Sequence, residues 1–492
     1  MSNQRLTWIP CPGRGRLGSG LLAGCGLAAW ELAGNATVAW AAGEGGDGHS
    51  LARDLPLASV FPFAFLLLCI AVLPLVAAHW WEHNRNKGIV AALLAIPVAL
   101  YLLYVGGHEG QHVLVEKAEE YIAFMVLLTS LFVISGGIYV QGSLSGTPVV
   151  NSVFLALGAV LANFIGTTGA SMVLVRPLLR ANASRERKSH IVIFFIFVVS
   201  NCGGLLTPLG DPPLFLGFLK GVPFEWTLSL WKEWLVVNGL LLVVFNVWDQ
   251  IVMNREERER PGAQLEKVQQ HEPFFLHGGL NILFLAGIVA TIYASGRWSW
   301  RFGIAEACMA GLAIASYFLT KRENRERNKF GFGPIIEVAV LFAGIFVTMA
   351  PALLILNAWG QGQRTVLGAS FGLDQPWQFF WASGILSSFL DNAPTYLTFS
   401  ATACGLEGIA TEGRFLGEFL QHGEKARMLL AAISCGAVFM GANSYIGNGP
   451  NFMVKAIAEE NGVKMPGFFG YMFYSGGILL PIFFVITLLF FR

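Results

Sequence analysis

Long apolar segments alternate with short polar ones from residue 56 almost to the end of the chain. A helix of roughly 20 apolar residues spans the hydrocarbon core of a membrane. Two apolar segments, 148–178 and 376–403, contain polar interruptions and predict helix-turn-helix hairpins that enter the membrane and return. The others predict ten transmembrane helices, at residues 56–79, 89–107, 119–141, 190–220, 227–252, 276–296, 303–320, 334–358, 425–459 and 467–491.

Glycine and proline interrupt two of these predicted helices. Residues 200–213 have the sequence SNCGGLLTPLGDPP, and residues 441–451 have the sequence GANSYIGNGPN. Proline removes a backbone donor and glycine weakens a helix, so each helix must break there. Inside a membrane, freed backbone groups are tolerated only where they line a cavity or a bound solute, so the breaks predict a binding site. When Gly210 is aligned with Gly447, Asp211 aligns with Asn448 and Pro213 with Pro450. Two matched interruptions predict that the fold is duplicated.

Each half of the chain has the order of three spans, a hairpin, a broken span and a final span. Because five crossings is an odd number, the second half is expected to be inverted relative to the first. We therefore predict an all-α integral membrane protein of two inverted repeats, residues 56–252 and 276–491, each with five transmembrane spans, a re-entrant hairpin and a broken helix. The charged segment 253–275 predicts a cytoplasmic linker between them.

Loop charges give the orientation. Basic residues concentrate in the loops 80–88, 179–189 and 321–333, which the positive-inside rule places in the cytoplasm. The first hairpin then opens from the cytoplasm and the second from outside, so that their tips approach each other near the membrane midplane.

Composition agrees with a membrane protein. Of 492 residues, 54% are hydrophobic and 13% are charged, and the net charge of +1 indicates no nucleic-acid partner. The seven cysteines have no C-x-x-C spacing and predict neither a disulfide framework nor a zinc site. Residues 1–50 carry arginines before a weakly apolar stretch and a small-x-small site at 39–41, which predicts a cleaved signal peptide, with a disordered N-terminal segment as the alternative.

The two hairpin tips and the two breaks together predict one site at the midplane. Their neutral oxygens suit a small cation, whereas the starts of the half-helices direct positive dipole ends toward an anion, so these groups alone would serve either solute. A hydrogen bond between packed helices is the alternative role for each residue. The candidate substrate- or ion-binding residues are Asn163, Thr167, Thr168, Asn201, Thr207, Asp211, Ser388, Asp391, Asn392, Thr395, Asn443, Ser444, Asn448 and Asn451.

Two of these candidates, Asp211 and Asp391, are acidic. An ionised carboxylate at this depth is costly unless a cation neutralises it, so a proton and a cation compete for it. That competition is the requirement for a sodium/proton antiporter, with sodium as a hypothetical ligand of both aspartates and no cofactor beyond the transported ions. A di- or tricarboxylate would be repelled unless sodium bound first. Capping of a helix is the alternative role for either aspartate.

The motifs TPLGDPP at 207–213 and SSFLDNAPT at 387–395 resemble those of the ion transporter superfamily. Within it, residues 56–491 are similar to bacterial sodium/proton antiporters and citrate transporter-like proteins, and more distantly to the arsenite pump membrane subunit and the melanosomal P protein. The resemblance implies a multi-pass secondary transporter of the bacterial inner membrane, often a homodimer, in which a transport domain moves against a scaffold in an elevator-like manner.

A sodium/proton antiporter is the favoured function. The alternatives are a sodium-coupled citrate or dicarboxylate symporter and an arsenite-type anion transporter. The Ser-Asn-Thr signatures of the sodium/dicarboxylate symporters are not present at the hairpin tips, which have the sequences ANF at 162–164 and DNA at 391–393.

A competing motif is the HExxH sequence at His108-Glu109-Gly110-Gln111-His112. On a helix this spacing places two histidines on one face for zinc, with the glutamate as a general base. The motif lies between two predicted spans, contains a glycine and has no evident third ligand. We therefore expect a loop or a helix end there rather than a metalloprotease site, and we predict that the protein is not an enzyme.

Overall fold

The computed structural model describes residues 55–143, 146–259, 272–298, 300–362 and 372–492. The predictions made for residues 1–50 lie outside these ranges. The described residues contain eight helices that are long and apolar enough to cross a membrane, and two shorter apolar helical segments, Ser189–Leu205 and Ile304–Leu319. The chain is therefore a multi-pass membrane protein, as the hydrophobic pattern predicts.

The described chain is almost entirely helical. Its α-helices are α1 Phe61–Val76, α2 Ala78–Trp81, α3 Asn84–Ser135, α4 Pro148–Ala181, α5 Ser189–Val198, α6 Pro212–Leu219, α7 Trp231–Glu259, α8 Leu280–Trp298, α9 Ile304–Leu319, α10 Arg322–Arg327, α11 Gly333–Gly360, α12 Pro376–Ser387, α13 Asn392–Leu406, α14 Phe415–Phe419, α15 Glu424–Met440, α16 Gly449–Glu460 and α17 Phe468–Phe490. Short 3₁₀ turns occupy Leu57–Val60, Cys202–Leu205, Phe224–Leu230 and Gly441–Asn443.

Helix α3 contains two of the predicted spans, because the chain folds back on itself at Gly107. That residue has φ 51° and ψ −119°, which only glycine adopts readily. A Cβ added at Gly110 would lie 2.0 Å from the carbonyl oxygen of Leu102, so the two arms of α3 lie side by side at the turn.

Both predicted hairpins are present. Helix α4 is the first hairpin, and it turns at Gly166, whose φ of 74° and ψ of 155° are not helical. A Cβ added at Gly158 would lie 3.2 Å from Leu174, so the two arms run alongside each other. Helices α12 and α13 form the second hairpin, in which the rings of Phe379 and Phe399 are 6.3 Å apart.

Both predicted breaks are also present. We call residues 199–211, between α5 and α6, the first break, and residues 441–448, between α15 and α16, the second break. Each contains one 3₁₀ turn and then leaves the helical path. Helices α6 and α16 restart with a proline in their first turn, where a missing N–H leaves no bond unmade.

Two sets of helices surround the breaks. Helices α1, α3, α8, α9 and α11 contact one another, and we call them the α3–α11 group. The hairpins and the broken helices form the second set, which we call the hairpin group. Every residue from His190 to Val198 in α5 is buried, as expected for a helix that is apolar on all sides. Rings of Phe124 and Phe342 stack at 4.8 Å between α3 and α11.

The structure departs from the predicted fold in two places. Strands β1 Tyr139–Ser143 and β2 Glu272–His277 form a two-stranded antiparallel sheet, so the described chain is not entirely helical. The sheet joins the end of α3 to the segment before α8. Helix α7 also continues to Glu259, into the segment predicted as a linker, because Asp249, Met253 and Glu256 lie on one buried helical face.

Candidate functional site

Asp211, the last residue of the first break, lies where the two hairpins and the two breaks meet. Its side chain is 1% exposed. The hydroxyl of Thr167, on the first hairpin, donates to Asp211 Oδ1 at 2.8 Å. The amide of Asn392, on the second hairpin, donates to Oδ2, and the amide of Asn448, in the second break, donates to Oδ1 at 3.2 Å. Three neutral donors from three other elements therefore surround one carboxylate.

The first hairpin is bound to the first break by hydrogen bonds around Asn163. The Thr207 hydroxyl donates to the backbone oxygen of Asn163, and the Leu206 N–H donates to its side-chain oxygen at 2.8 Å. The Thr167 N–H donates to the Gly210 carbonyl at 2.8 Å. The tip of the hairpin and the residues before Asp211 are thus held as one unit.

The second hairpin is bound to the second break in the same way. The Ser444 hydroxyl donates to the backbone oxygen of Ser388 at 2.5 Å. The Asn443 amide donates to the Ser388 hydroxyl at 2.9 Å. Ser388 and Ser444 therefore make the contact that Asn163 and Thr207 make in the first half. This agreement in hydrogen bonding supports the aligned motifs at the two breaks.

Close backbone packing within each break explains the paired glycines. A Cβ added at Gly210 would lie 2.1 Å from the Gly204 carbonyl oxygen, and one added at Gly447 would lie 2.6 Å from the Gly441 carbonyl oxygen. No other residue would fit at Gly210 or Gly447 without moving the backbone. The spacing of these glycines in the sequence is thus a consequence of the folded break.

Three asparagines link the two breaks to each other. Asn201 donates to Asn451 Oδ1 at 2.7 Å, and Asn448 donates to Asn201 Oδ1 at 3.2 Å. Asn451 also donates to the backbone oxygens of Gly441 and Ser444, at 2.8 and 2.9 Å. In both Asn201 and Asn451, the side-chain nitrogen therefore donates hydrogen bonds and the side-chain oxygen accepts one. These two candidate residues hold the breaks together in the structure.

Two oxygens near the site lack donors. Asn392 Oδ1 and Asn443 Oδ1 are buried, and neither accepts a hydrogen bond from any part of the chain that the structure describes. A buried oxygen without a donor is unfavourable, and a cation is one partner that would satisfy it. Both oxygens belong to residues predicted from the sequence as site residues.

A cavity of about 70 Å³ lies beside Asp211. Asp211 forms part of its wall, and so do Thr167 and Thr168 of the first hairpin. The opposite wall belongs to the α3–α11 group and is apolar. Its lining residues include Leu127, Leu131 and Phe132 from α3 and Pro334, Ile335 and Val338 from α11. No sequence pattern distinguishes this apolar wall, because its residues are ordinary apolar members of predicted transmembrane helices.

Asp391 and Thr395 are the candidates whose bonds stay within their own helix. The Asp391 carboxylate accepts from the Ala393 N–H at 3.1 Å and caps α13, and its side chain is half-buried. The Thr395 hydroxyl donates to the Asp391 carbonyl at 2.9 Å. Asp391 directly precedes Asn392, so it lies next to the site without bonding to Asp211.

Within the described part of the chain, no lysine, arginine or histidine forms an ion pair with Asp211. Lys455, one turn into α16, pairs with Glu459 of the same helix at 3.1 Å. The two histidines of the HExxH motif are exposed on α3. Over the same described ranges, no group of three or more His, Cys, Asp or Glu side chains is placed to hold a metal ion.

Comparison with known protein families places the chain in a family of transporters. Residues 52–491 match the model of the protein family described as "Putative citrate transport". No curated protein sequence matches the chain. The matched region begins before α1 and ends within one residue of the end of α17, so it contains both hairpins and both breaks.

Proposed function

Because the chain belongs to the family described as "Putative citrate transport", within the ion transporter superfamily of secondary transporters, we propose that it exchanges sodium for protons. The observation that carries this proposal is the position of Asp211. A buried carboxylate with only neutral donors around it is neutralised either by a proton or by a monovalent cation. One group that binds either ion, but not both together, is the minimum required for exchange.

The oxygens around Asp211 favour a cation over an anion. Carboxylate and amide oxygens are ligands that sodium accepts, and two of the amide oxygens nearby lack donors. An anionic substrate would instead meet the charge of Asp211, with no cationic side chain paired to it in the described chain. In this proposal Asp211 is the ion-binding carboxylate, and Thr167, Asn392 and Asn448 orient it.

We further propose that the two repeats are inverted and that the hairpin group moves as one body. The hydrogen bonds within and between the two breaks would keep the hairpins together during such a movement. At the cavity, α3 and α11 present an apolar wall along which the hairpin group would slide. Elsewhere the movement would have to break the bonds from the Asn357 amide of α11 to the carbonyls of Ala401 and Ile409. Alternating access would then carry Asp211 from one side of the membrane to the other.

A sodium-coupled citrate symporter is the second candidate, because the family description favours it. The size of the cavity favours the antiporter. Pockets that bury a drug-sized ligand are roughly 300–1,000 Å³, whereas the cavity beside Asp211 is about 70 Å³. That volume suits a small ion with its water rather than a tricarboxylate.

The test is ion-driven pH change in proteoliposomes that contain the purified protein and an internal pH dye. Sodium, lithium, potassium, citrate and succinate are offered separately, and empty liposomes serve as the control. We expect sodium alone to drive proton movement, with sodium acting at lower concentration as the pH rises and Asp211 loses its proton. Sodium-dependent uptake of labelled citrate, with no proton movement driven by sodium alone, would reverse the order of the two candidates.

A further inference from the structure

Four charged side chains form a cluster where the end of α6 meets α3. Lys220, directly after α6, is 2% exposed, and its Nζ lies 2.7 Å from Glu116 Oε1 and also pairs with Glu120. Lys117 Nζ lies 3.0 Å from both carboxylate oxygens of Glu120. Two lysines and two glutamates make the cluster neutral. Mutual pairing is what permits such charges to be buried.

The cluster connects the two sets of helices. Glu116, Lys117 and Glu120 belong to α3, in the α3–α11 group. Lys220 belongs to the hairpin group, and its carbonyl accepts from the N–H groups of Leu416 and Gly417 at 3.0 and 3.3 Å. Sliding of α6 along α3 would therefore have to separate Lys220 from both glutamates.

The second half has a weaker counterpart. Glu460, the last residue of α16, pairs at 3.6 Å with Lys329, which lies just before α11. As in the first half, the end of the helix that follows the break is paired with a residue next to the α3–α11 group. Here the hairpin group supplies the acidic residue, whereas in the first half it supplies the basic one. The side chains of Lys329 and Glu460 are 66% and 59% exposed, and an exposed pair contributes little.

The cavity lies toward the weaker pair. Its wall includes Phe132 near the end of α3, and Pro334 and Ile335 at the start of α11, close in the sequence to Lys329. The α3 residues of this wall run from Leu127 to Phe132, seven to twelve residues beyond Glu120, or roughly 10–18 Å along the helix. The buried cluster lies near the middle of this arm of α3, and the cavity lies between the cluster and the end of the arm at Ser135.

We propose that Glu116, Lys117, Glu120 and Lys220 form a latch that keeps the Asp211 cavity closed on the Lys220 side and open on the Lys329 side. This inference rests on the alternating access of the proposed function. Separating Lys220 from its partners leaves buried charges unpaired, which is strongly unfavourable, whereas separating Lys329 from Glu460 is not. The unequal pairs therefore favour the state in which the cavity faces Lys329.

The test is the accessibility of a cysteine in the cavity. Thr168→Cys is introduced into a chain whose seven native cysteines have been replaced. Its rate of labelling by a membrane-impermeant maleimide is measured from each side of sealed vesicles. We expect Lys220→Met to raise the labelling rate from the Lys220 side roughly tenfold relative to the rate from the Lys329 side.

Lys87→Met is the matched control. Lys87 is also buried and pairs with Glu337 at 2.7 Å, but both residues belong to the α3–α11 group, so the ratio of the two labelling rates should not change. Glu116→Lys should act like Lys220→Met, because it removes one of the two acidic partners of Lys220 and places a positive charge beside it. If Lys220→Met does not fold, the milder Glu116→Gln is expected to raise the ratio roughly threefold, since Glu120 still pairs with Lys220.

An unchanged ratio in Lys220→Met and in Glu116→Gln would overturn the latch. An equal change in Lys87→Met would overturn it as well, because the effect would then follow from loss of any buried pair. The labelling needs no transported ion. Failure of sodium/proton exchange in liposomes would therefore leave this result interpretable, and the two proposals can fail separately.

Discussion

Asn392, the first residue of the second arm of the second hairpin, donates its side-chain amide to Asp211 in the first break. Thr167 makes the same contact from the first hairpin. Each of these residues lies four positions after the hairpin residue that binds its own break, Ser388 or Asn163. The two hairpins therefore reach one carboxylate with equivalent positions, although they lie in different halves of the chain.

Replacing Thr167 tests whether its hydroxyl supports the ionised form of Asp211. Thr167→Val keeps the volume and removes the donor, so the ionised carboxylate loses one hydrogen bond and the protonated form gains. We expect the pH of half-maximal sodium response to rise by about one unit. Thr167→Ser retains the donor and should keep the wild-type profile. Identical profiles for the valine and serine variants would contradict this role.

Replacing Asp391 separates its two possible roles. Asparagine caps a helix about as well as aspartate, so Asp391→Asn should melt within a few degrees of the wild type. Because the carboxylate bonds only within its own helix, we expect this variant to retain exchange with a weaker apparent sodium affinity. Complete loss of exchange in a folded Asp391→Asn protein would instead make this carboxylate as essential as Asp211.

Replacing Asn451 tests the link between the breaks. Asn451→Ala removes the donor to the Gly441 and Ser444 carbonyls and one of the two acceptors of the Asn201 amide, which still donates to the Ile196 carbonyl. We expect the free energy of unfolding in detergent to fall by about 2–4 kcal/mol, as a change in melting temperature would show. The control is Gln250→Ala, which removes an exposed amide bonded to Asn254 and should change little. Equal melting temperatures for the two variants would exclude a stabilising role for this link.

Labelling from each side of the membrane tests the predicted topology. Glu186 and Glu412 are exposed and lie in loops, so cysteines at these positions would be accessible to a membrane-impermeant maleimide. If the repeats are inverted as the loop charges predict, Glu186→Cys is labelled from the cytoplasm and Glu412→Cys from outside. Labelling of Glu186→Cys from outside, or of Glu412→Cys from the cytoplasm, would show that the orientation is wrong.

The sequence predicted the hairpins and breaks well because glycine and proline act locally. Gly166 has non-helical dihedral angles at the turn of the first hairpin, and Pro212 begins the helix after the first break. In the second half Pro450 again lies in the first turn of the helix after the break, whereas the second hairpin turns at Asp391 without a glycine. The lengths of the apolar segments likewise predicted the transmembrane helices. The fold-back of α3 at Gly107 was also visible, as a polar interval between two apolar segments.

Other features depend on contacts that no local pattern encodes. The sheet between β1 and β2 pairs Tyr139 with His277, far apart in the sequence. The linking role of Asn201 and Asn451 could not be told from ion binding, since an amide suits either purpose. The ion pairs of Lys220 with α3 are also long-range, and lysine at a helix end is common in loops that face water.

The most direct test of the proposed function compares sodium-driven proton release by liposomes containing either the wild-type protein or Asp211→Asn. Asparagine keeps the size of the side chain and removes the group that binds a proton or sodium. We predict proton release by the wild type and none above empty liposomes by the variant, with both proteins eluting as folded species in detergent. Proton release at the wild-type rate by Asp211→Asn would contradict the proposal.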